Sequence, residues 1–374
     1  MSLNKILTIS IFTILFNCSL LLNIGIPGAV VYLIATFFLV LYSIFVGNKK
    51  YTVDKKTVWA LFLLLLIDKV NDYIGGGGFS QLFPLFYILF YFNFIIQIRS
   101  YKDVQDIIRK TLFIAALLLI IWGGVRSIPM RQLDRDCSIM FMVWYALYFI
   151  GKRPHRFIVS ILIFILEWFI FEARTASLGL FVFWGVLLIN IKNIKLQHVL
   201  IGLELFFCIL LIALGVYYET FVCLGYSELF TGRGVIWGES LFYLFDSENI
   251  NRFFGLSTAE VSLESAFYDL PLNSGRSVHF KELLLKGNFH NGFVYILYNT
   301  GLFGFILFIY AIIKSYTWKC GNVNNFAILC MFFVAYSFQG RSPTGIYATS
   351  ILFMILMFIP ISGKNENINK RFKE

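Results

Sequence analysis

Charge is scarce in this chain. Asp, Glu, Lys and Arg make up 14% of its 374 residues, where a soluble domain carries about 25%. That shortage argues against an ordinary water-soluble fold. Metal and redox patterns are missing as well. The six cysteines (Cys18, Cys137, Cys208, Cys223, Cys320 and Cys330) form no CxxC and no Cys/His pattern. Cys18, Cys208 and Cys330 fall inside apolar runs as small apolar residues. Cys137 and Cys223 lie near one face, but nothing in the sequence supports a disulfide between them. There is no P-loop and no GxGxxG, so no nucleotide site can be read. No internal repeat of roughly 20–50 residues is visible. The first apolar stretch has a short basic start, Asn4-Lys5, but no small-residue cleavage site follows it, so it reads as a retained span rather than a signal peptide.

What is present is apolar: 59% of the residues are hydrophobic and 19% aromatic. They come in runs of about 16–24 residues, long enough to cross a hydrocarbon core roughly 30 Å thick as helices. The runs do not alternate, which excludes a barrel. The expected fold is therefore an all-α polytopic membrane protein, a single transmembrane domain over 1–374. About twelve spans can be read, near 5–24, 28–47, 57–73, 79–98, 111–125, 138–151, 157–172, 176–191, 198–218, 290–313, 324–338 and 344–362.

The formal charge of +10 would suggest nucleic acid in a soluble protein. Here its distribution matters more than its sum. Alternate connections hold Lys49, Lys50, Lys55 and Lys56; Arg99, Lys102, Arg109 and Lys110; Lys152, Arg153 and Arg156; Lys192 and Lys195; Lys314 and Lys319; and Lys364, Lys370, Arg371 and Lys373. With Lys5 these are 20 basic residues on one side, against five (Arg126, Arg131, Arg135, Arg174 and Arg341) in the opposite short connections. The asymmetry places both termini in the cytoplasm and no nucleic acid is expected as a partner. One long connection, 219–289, lies on the outer side between the ninth and tenth spans. Short helices are expected in it near 233–245 and 279–286, with turn signals at Pro271, Asn273 and Gly275. The tail 363–374 is polar, charged and expected to be disordered in the cytoplasm. Gly75-Gly76-Gly77-Gly78, in an outer loop, reads as a mobile turn or a close packing point.

Arginines on the outer side work against the topology rule, so some of them should have a use. The bland alternative is an ion-paired loop surface. Three places stand out. Glu172-Ala173-Arg174-Thr175 puts charge at a membrane edge, where charged groups tend to face a cavity or a partner. Thr231-Gly232-Arg233-Gly234-Val235-Ile236-Trp237 combines glycines, which let a backbone approach a ligand, with an arginine fork suited to phosphate oxygens. Asn288-Phe289-His290-Asn291-Gly292 opens the tenth span, where a helix start offers free N–H groups and a positive dipole end. His290 there can exchange a proton near neutral pH, although a lone histidine of this kind is more often structural. Asp134-Arg135-Asp136 imitates an Asp-x-Asp metal motif, but with arginines around it reads better as an ion-paired loop, and no metal is expected. Away from the span ends the membrane interior holds few charges: Asp68 and Lys69, Glu167 and Glu204. Asp68 and Lys69 are neighbours on a helix, point to different sides, do not read as a pair and are expected to face other helices.

Three segments, in this order, resemble the O-antigen polymerase and ligase (Wzy and WaaL) superfamily. Arg174-Thr175-Ala176-Ser177-Leu178-Gly179 is similar to the family's arginine at the end of a span. Gly232-Arg233 followed by Trp237 is similar to its Gly-Arg…Trp element in the large periplasmic loop. His290-Asn291 with Gly301-Leu302-Phe303-Gly304 is similar to its His-Asn…Gly-x-x-Gly signature. The sequence departs from that pattern at Gly292-Phe293-Val294, where a polar residue and a leucine are usual. The motifs cover about 172–305 and the topology the whole chain.

The resemblance implies a GT-C-like glycosyltransferase of the bacterial inner membrane with its site facing the periplasm. Its donor would be an undecaprenyl-diphosphate-linked oligosaccharide, and it would use no metal or cofactor. It implies O-antigen polymerisation, with a Wzz-like chain-length regulator, a flippase and membrane lipid as partners. His290 would accept the acceptor hydroxyl's proton, and Arg174 and Arg233 would hold the diphosphate. Arg341, Asn291, Trp237 and Arg276 would contact substrate. Ligation of finished O-antigen to lipid A–core, capsule or exopolysaccharide polymerisation, and the flipping of lipid-linked units remain alternatives.

Overall fold

A computed structural model describes residues 55–74, 101–125, 134–152, 155–171, 173–224, 227, 229–230, 232–256, 289–319 and 322–339. The spans expected at 5–24, 28–47, 79–98 and 344–362 lie outside the described residues. So do Gly75–Gly78, Glu172, Arg276, Arg341, the helix expected at 279–286 and the tail 363–374.

All regular structure among the described residues is helical. In chain order the elements are α1 (Lys55–Asp72), α2 (Tyr101–Val125), α3 (Asp134–Ile150), α4 (Arg156–Ile165), α5 (Arg174–Ile189), α6 (Ile194–Tyr217), α7 (Arg233–Asp246), α8 (Asn249–Phe254), α9 (Gly292–Lys319) and α10 (Val323–Gln339). α4 and α6 each end in a π turn, over Leu166–Ile170 and Tyr218–Val222. The helix expected at 233–245 is α7, one residue longer. α8 was not expected, and α2 begins ten residues before the apolar run that marked it. Asp134–Asp136 form the first turn of α3 rather than a loop.

Two of these helical stretches are long and apolar enough to cross a membrane: Ile194–Val222, with 29 residues, and Gly292–Ser315, with 24, against the roughly 20 that a bilayer requires. α6 is capped by Asn193, whose Oδ1 accepts from Lys195 N at 2.9 Å and Leu196 N at 3.4 Å. Asn190 closes α5 in the left-handed conformation. Along α6, Val199, Leu203, Phe206, Phe207, Leu210 and Leu214 are exposed. An apolar face of this extent belongs against lipid or another apolar partner rather than water.

The helices pack in close pairs: α5 on α10, α1 on α9, α2 on α3 and α7 on α6. Small residues set the approach. A Cβ at Gly179 of α5 would stand 2.7 Å from Met142 Sδ and 3.1 Å from the Met331 carbonyl of α10. The buried core includes Leu61, Leu64, Leu112, Ala115, Phe183 and Phe308.

α9 is not continuous. At Gly301 its backbone takes φ 64°, ψ −169°, a conformation open only to glycine, and the helix breaks there. The end of α8 fills the break: a Cβ on Gly301 would lie 2.4 Å from Phe253 C, and Leu256 N donates to Tyr298 O at 2.8 Å.

Candidate functional site

The connection from α6 into α7 is organised by one carboxylate. Glu219, fully buried in the π turn after α6, accepts from Ser227 N at 3.0 Å, Ser227 Oγ and Gly232 N at 2.9 Å through Oε1. Its Oε2 accepts from Gly234 N at 2.7 Å. Gly232 is the left-handed residue at the head of α7 and has no side chain with which to cap it. A Cβ at Gly234 would stand 2.1 Å from Gly215 O. The two glycines thus bring the α7 backbone against Glu219 and Gly215. The sequence reading, in which they made room for a ligand, is corrected: the anion at this helix start is a resident side chain.

Two side chains then fasten α7 to the rest. Arg233 Nη1 donates to Phe338 O at 3.2 Å, at the end of α10. Trp237, one turn further and buried, donates from Nε1 to Phe289 O at 2.8 Å. The Phe289 ring lies 5.6 Å from that of Tyr295 and 5.2 Å from that of Tyr298. Glu239 follows on α7, half-buried, and burial pushes its carboxyl up from the ordinary glutamate value.

His290 comes directly after Phe289. It is buried and has φ 52°, left-handed backbone that a histidine adopts at some cost. Asn291 heads α9, and its Oδ1 accepts from Phe293 N at 2.9 Å and Val294 N at 3.2 Å. The free N–H groups expected at this helix start are therefore partly spent on Asn291, a second correction. The Asn291 Nδ2 is buried without a hydrogen-bond partner. Gly292 sits against the ring of Tyr336 on α10, so close that a Cβ would stand 2.1 Å from it.

Arg174 is the first residue of α5. Ala173 before it supplies no side-chain cap, Arg174 itself is exposed, and the Ser177 hydroxyl one turn in is buried without a partner. Of the three helix starts carrying predicted residues, this is the one at which, among the described residues, no side-chain cap takes an N–H. The described contacts bring Arg233, Trp237, His290 and Asn291 to one junction of α7, α9 and α10. Arg174 is tied to that junction only through the packing of α5 along α10. Cys137, buried, and Cys223, exposed, are not joined by a disulfide.

A second polar centre lies between α1 and α9, where Asp68 faces another helix as expected. Lys69 Nζ lies 3.3 Å from Asp68 Oδ2 and 2.8 Å from Asp72 Oδ2, and Asp68 and Lys69 are buried. The sequence reading that Asp68 and Lys69 do not pair is overturned, because the flexible lysine stem bends back over its own helix. Asp68 also accepts from the side-chain amide of Asn299 in α9. Asn71 Nδ2 donates to both Phe254 O and Asn299 O, each at 2.6 Å. The signal available was a charged triplet at the end of an apolar helix together with Asn299-Thr300-Gly301 inside an apolar run.

No family model matches the chain, and no curated protein and no solved structure matches it either.

Proposed function

We propose that this chain is an O-antigen polymerase of the bacterial inner membrane, with about twelve spans, both termini cytoplasmic and its site on the periplasmic face. The observation that carries the reading is the bond from Trp237 to Phe289 O. It joins the Gly-Arg…Trp element to the His-Asn element, which are far apart in sequence, and so supports a single shared site. Support also comes from the exposed cation at the open start of α5, where Arg174, uncapped N–H groups and the Ser177 hydroxyl suit a phosphate oxygen.

In this scheme the donor is an oligosaccharide on undecaprenyl diphosphate. An acceptor hydroxyl forms a bond to the anomeric carbon as the bond from that carbon to the diphosphate breaks. The proton goes to His290, a role worth about 10²–10⁴-fold. Arg174 and Arg233, with Arg341 and Arg276 as further contacts, stabilise charge on the departing diphosphate. Trp237 and Asn291 act by holding the junction. A Wzz-like regulator and a flippase are the expected partners.

A lipid-linked oligosaccharide flippase is the second reading. The break in α9 beside Asp68, Lys69 and Asp72 favours it, since transporters place binding at broken helices. Lipopolysaccharide banding separates the cases. A strain lacking a polymerase shows core plus one unit; one lacking a flippase shows bare core with units held inside. One lacking a ligase shows bare core with long chains on the carrier. The expected result is core plus one unit, restored to a ladder by wild type and not by His290→Ala at equal membrane abundance. Restoration by His290→Ala would remove the histidine from the mechanism.

A further inference from the structure

We infer that Glu219 is a positioning residue for this site: its buried carboxylate supplies the helix cap that α7 lacks and so sets Arg233 and Trp237 against His290. The inference rests on the polymerase reading only for what Arg233 and His290 do.

The sequence of α7 cannot hold its own start. Gly232 stands at the cap position without a side chain, and the first turn carries no acidic residue. A helix start buried without acceptors is costly, because its N–H groups are left without water. Glu219 answers from another helix. One oxygen collects Ser227 N, Ser227 Oγ and Gly232 N, and the other takes Gly234 N. Every partner is a donor, so the pocket calls for a group that only accepts, and an ionised carboxylate is the side chain of that kind. Its charge also lies at the positive end of the α7 dipole.

The consequence runs along the chain of bonds. Gly232 and Gly234 flank Arg233, which reaches Phe338 O, and Trp237 reaches Phe289 O next to His290. The π turn at Tyr218–Val222 is part of the device, since it is the segment that carries Glu219 into this position. The site's arginine and histidine are thus fixed relative to each other by a carboxylate whose own partners are Ser227, Gly232 and Gly234.

The test compares full-length wild type, Glu219→Gln, Glu219→Asp and Ser227→Ala in lipid nanodiscs and in the deletion strain. Glutamine keeps the shape but turns an amide against the Gly234 N–H. Hydrogen exchange over 232–237 should rise about tenfold or more in Glu219→Gln while exchange in α5 and α10 stays unchanged. The ladder should shorten at normal membrane abundance. Glu219→Asp should fall between Glu219→Gln and wild type, and Ser227→Ala, which removes one donor to Glu219 and the acceptor of Phe230 N but leaves the Gly232 and Gly234 bonds, should loosen the start of α7 least. Unchanged exchange at 232–237 overturns the inference, as does a rise spread evenly over all helices. Local loosening in a background where Arg233→Ala leaves the ladder intact upholds the cap and overturns the reading of Arg233 instead.

Discussion

Two places in this molecule release backbone polar groups among apolar side chains, and they release opposite kinds. At the head of α7 the groups without partners are N–H donors, and a buried carboxylate from α6 accepts them. At the break in α9 and the end of α8 they are carbonyls, and the amide of Asn71 from α1 donates to two of them, Phe254 O and Asn299 O. Each region lets a single side chain from a neighbouring helix do what the local sequence cannot, and its polarity matches the helix end it serves. The charge differs too. Glu219 faces donors alone, whereas the carboxylates near the break are neutralised by Lys69 within α1 itself. The first arrangement ties α7 across a junction to α10 and to Phe289 ahead of α9; the second closes on itself.

The largest effect should come from the break. Gly301→Ala forces a side chain into a glycine-only conformation and against the Phe253 backbone at 2.4 Å. Strain and overlap together should cost more than about 4 kcal/mol, so the protein should fail to accumulate in the membrane. Normal abundance and an unshifted melting temperature would mean that α9 can run straight, and the contrast between the two regions would go with it.

Next in size is the exchange of polarity at Asn71. Asn71→Leu leaves the part-buried Asn299 carbonyl unpaired, about 1–3 kcal/mol, and returns the exposed Phe254 carbonyl to solvent at little cost. Asn71→Asp should be worse despite its nearly equal size, because it sets an acceptor against acceptors. Thermal melting in nanodiscs of defined lipid ranks the two. If aspartate were the milder change, the amide would not be acting as a donor, and the parallel with Glu219 would fail.

Much of this was open to a reader of the sequence and some was not, for definite reasons. The short helix expected at 233–245 matches α7 nearly to the residue, because helix propensity is a local property. α2 was cut short at 111 because only the apolar run was counted, while the polar turn from Tyr101 belongs to the same helix. Glu219 was passed over as the first residue of a loop. Its meaning depends on Ser227, Gly232 and Gly234 folding back over it, and nothing in a linear pattern shows that return. The glycines were recognised as close-approach positions, but what approaches them is a neighbouring helix. Asn291 reads from sequence as a substrate contact, and an asparagine immediately ahead of a helix is also a cap. Asp68 and Lys69 misled because adjacency on a helix says little about a lysine long enough to reach backward. The break at Gly301 was hidden inside a motif read for its family likeness rather than for its backbone.

The smallest effect on stability should be at Arg174, and there the comparison of regions turns into a test of function. Arg174 is exposed at the start of α5, and no hydrogen bond or ion pair holds it among the described residues. Replacing it with alanine removes no buried contact, so stability should change by less than about 0.5 kcal/mol. Activity should behave differently. If the open start of α5 takes a phosphate oxygen, Arg174→Ala should lose the ladder at unchanged abundance and melting temperature, and Arg174→Lys should restore it only partly, because an ammonium cannot bind two oxygens in the arginine's fork geometry. At the break the order is reversed, since Asn71 should lower stability and reduce activity only in proportion. A variant that is folded and inactive at one place, set against variants that are inactive only because they are unfolded at the other, is the pattern that separates a site from its scaffold. An Arg174→Ala protein that still builds a full ladder would leave α5 as scaffold too and confine the chemistry to the junction around His290.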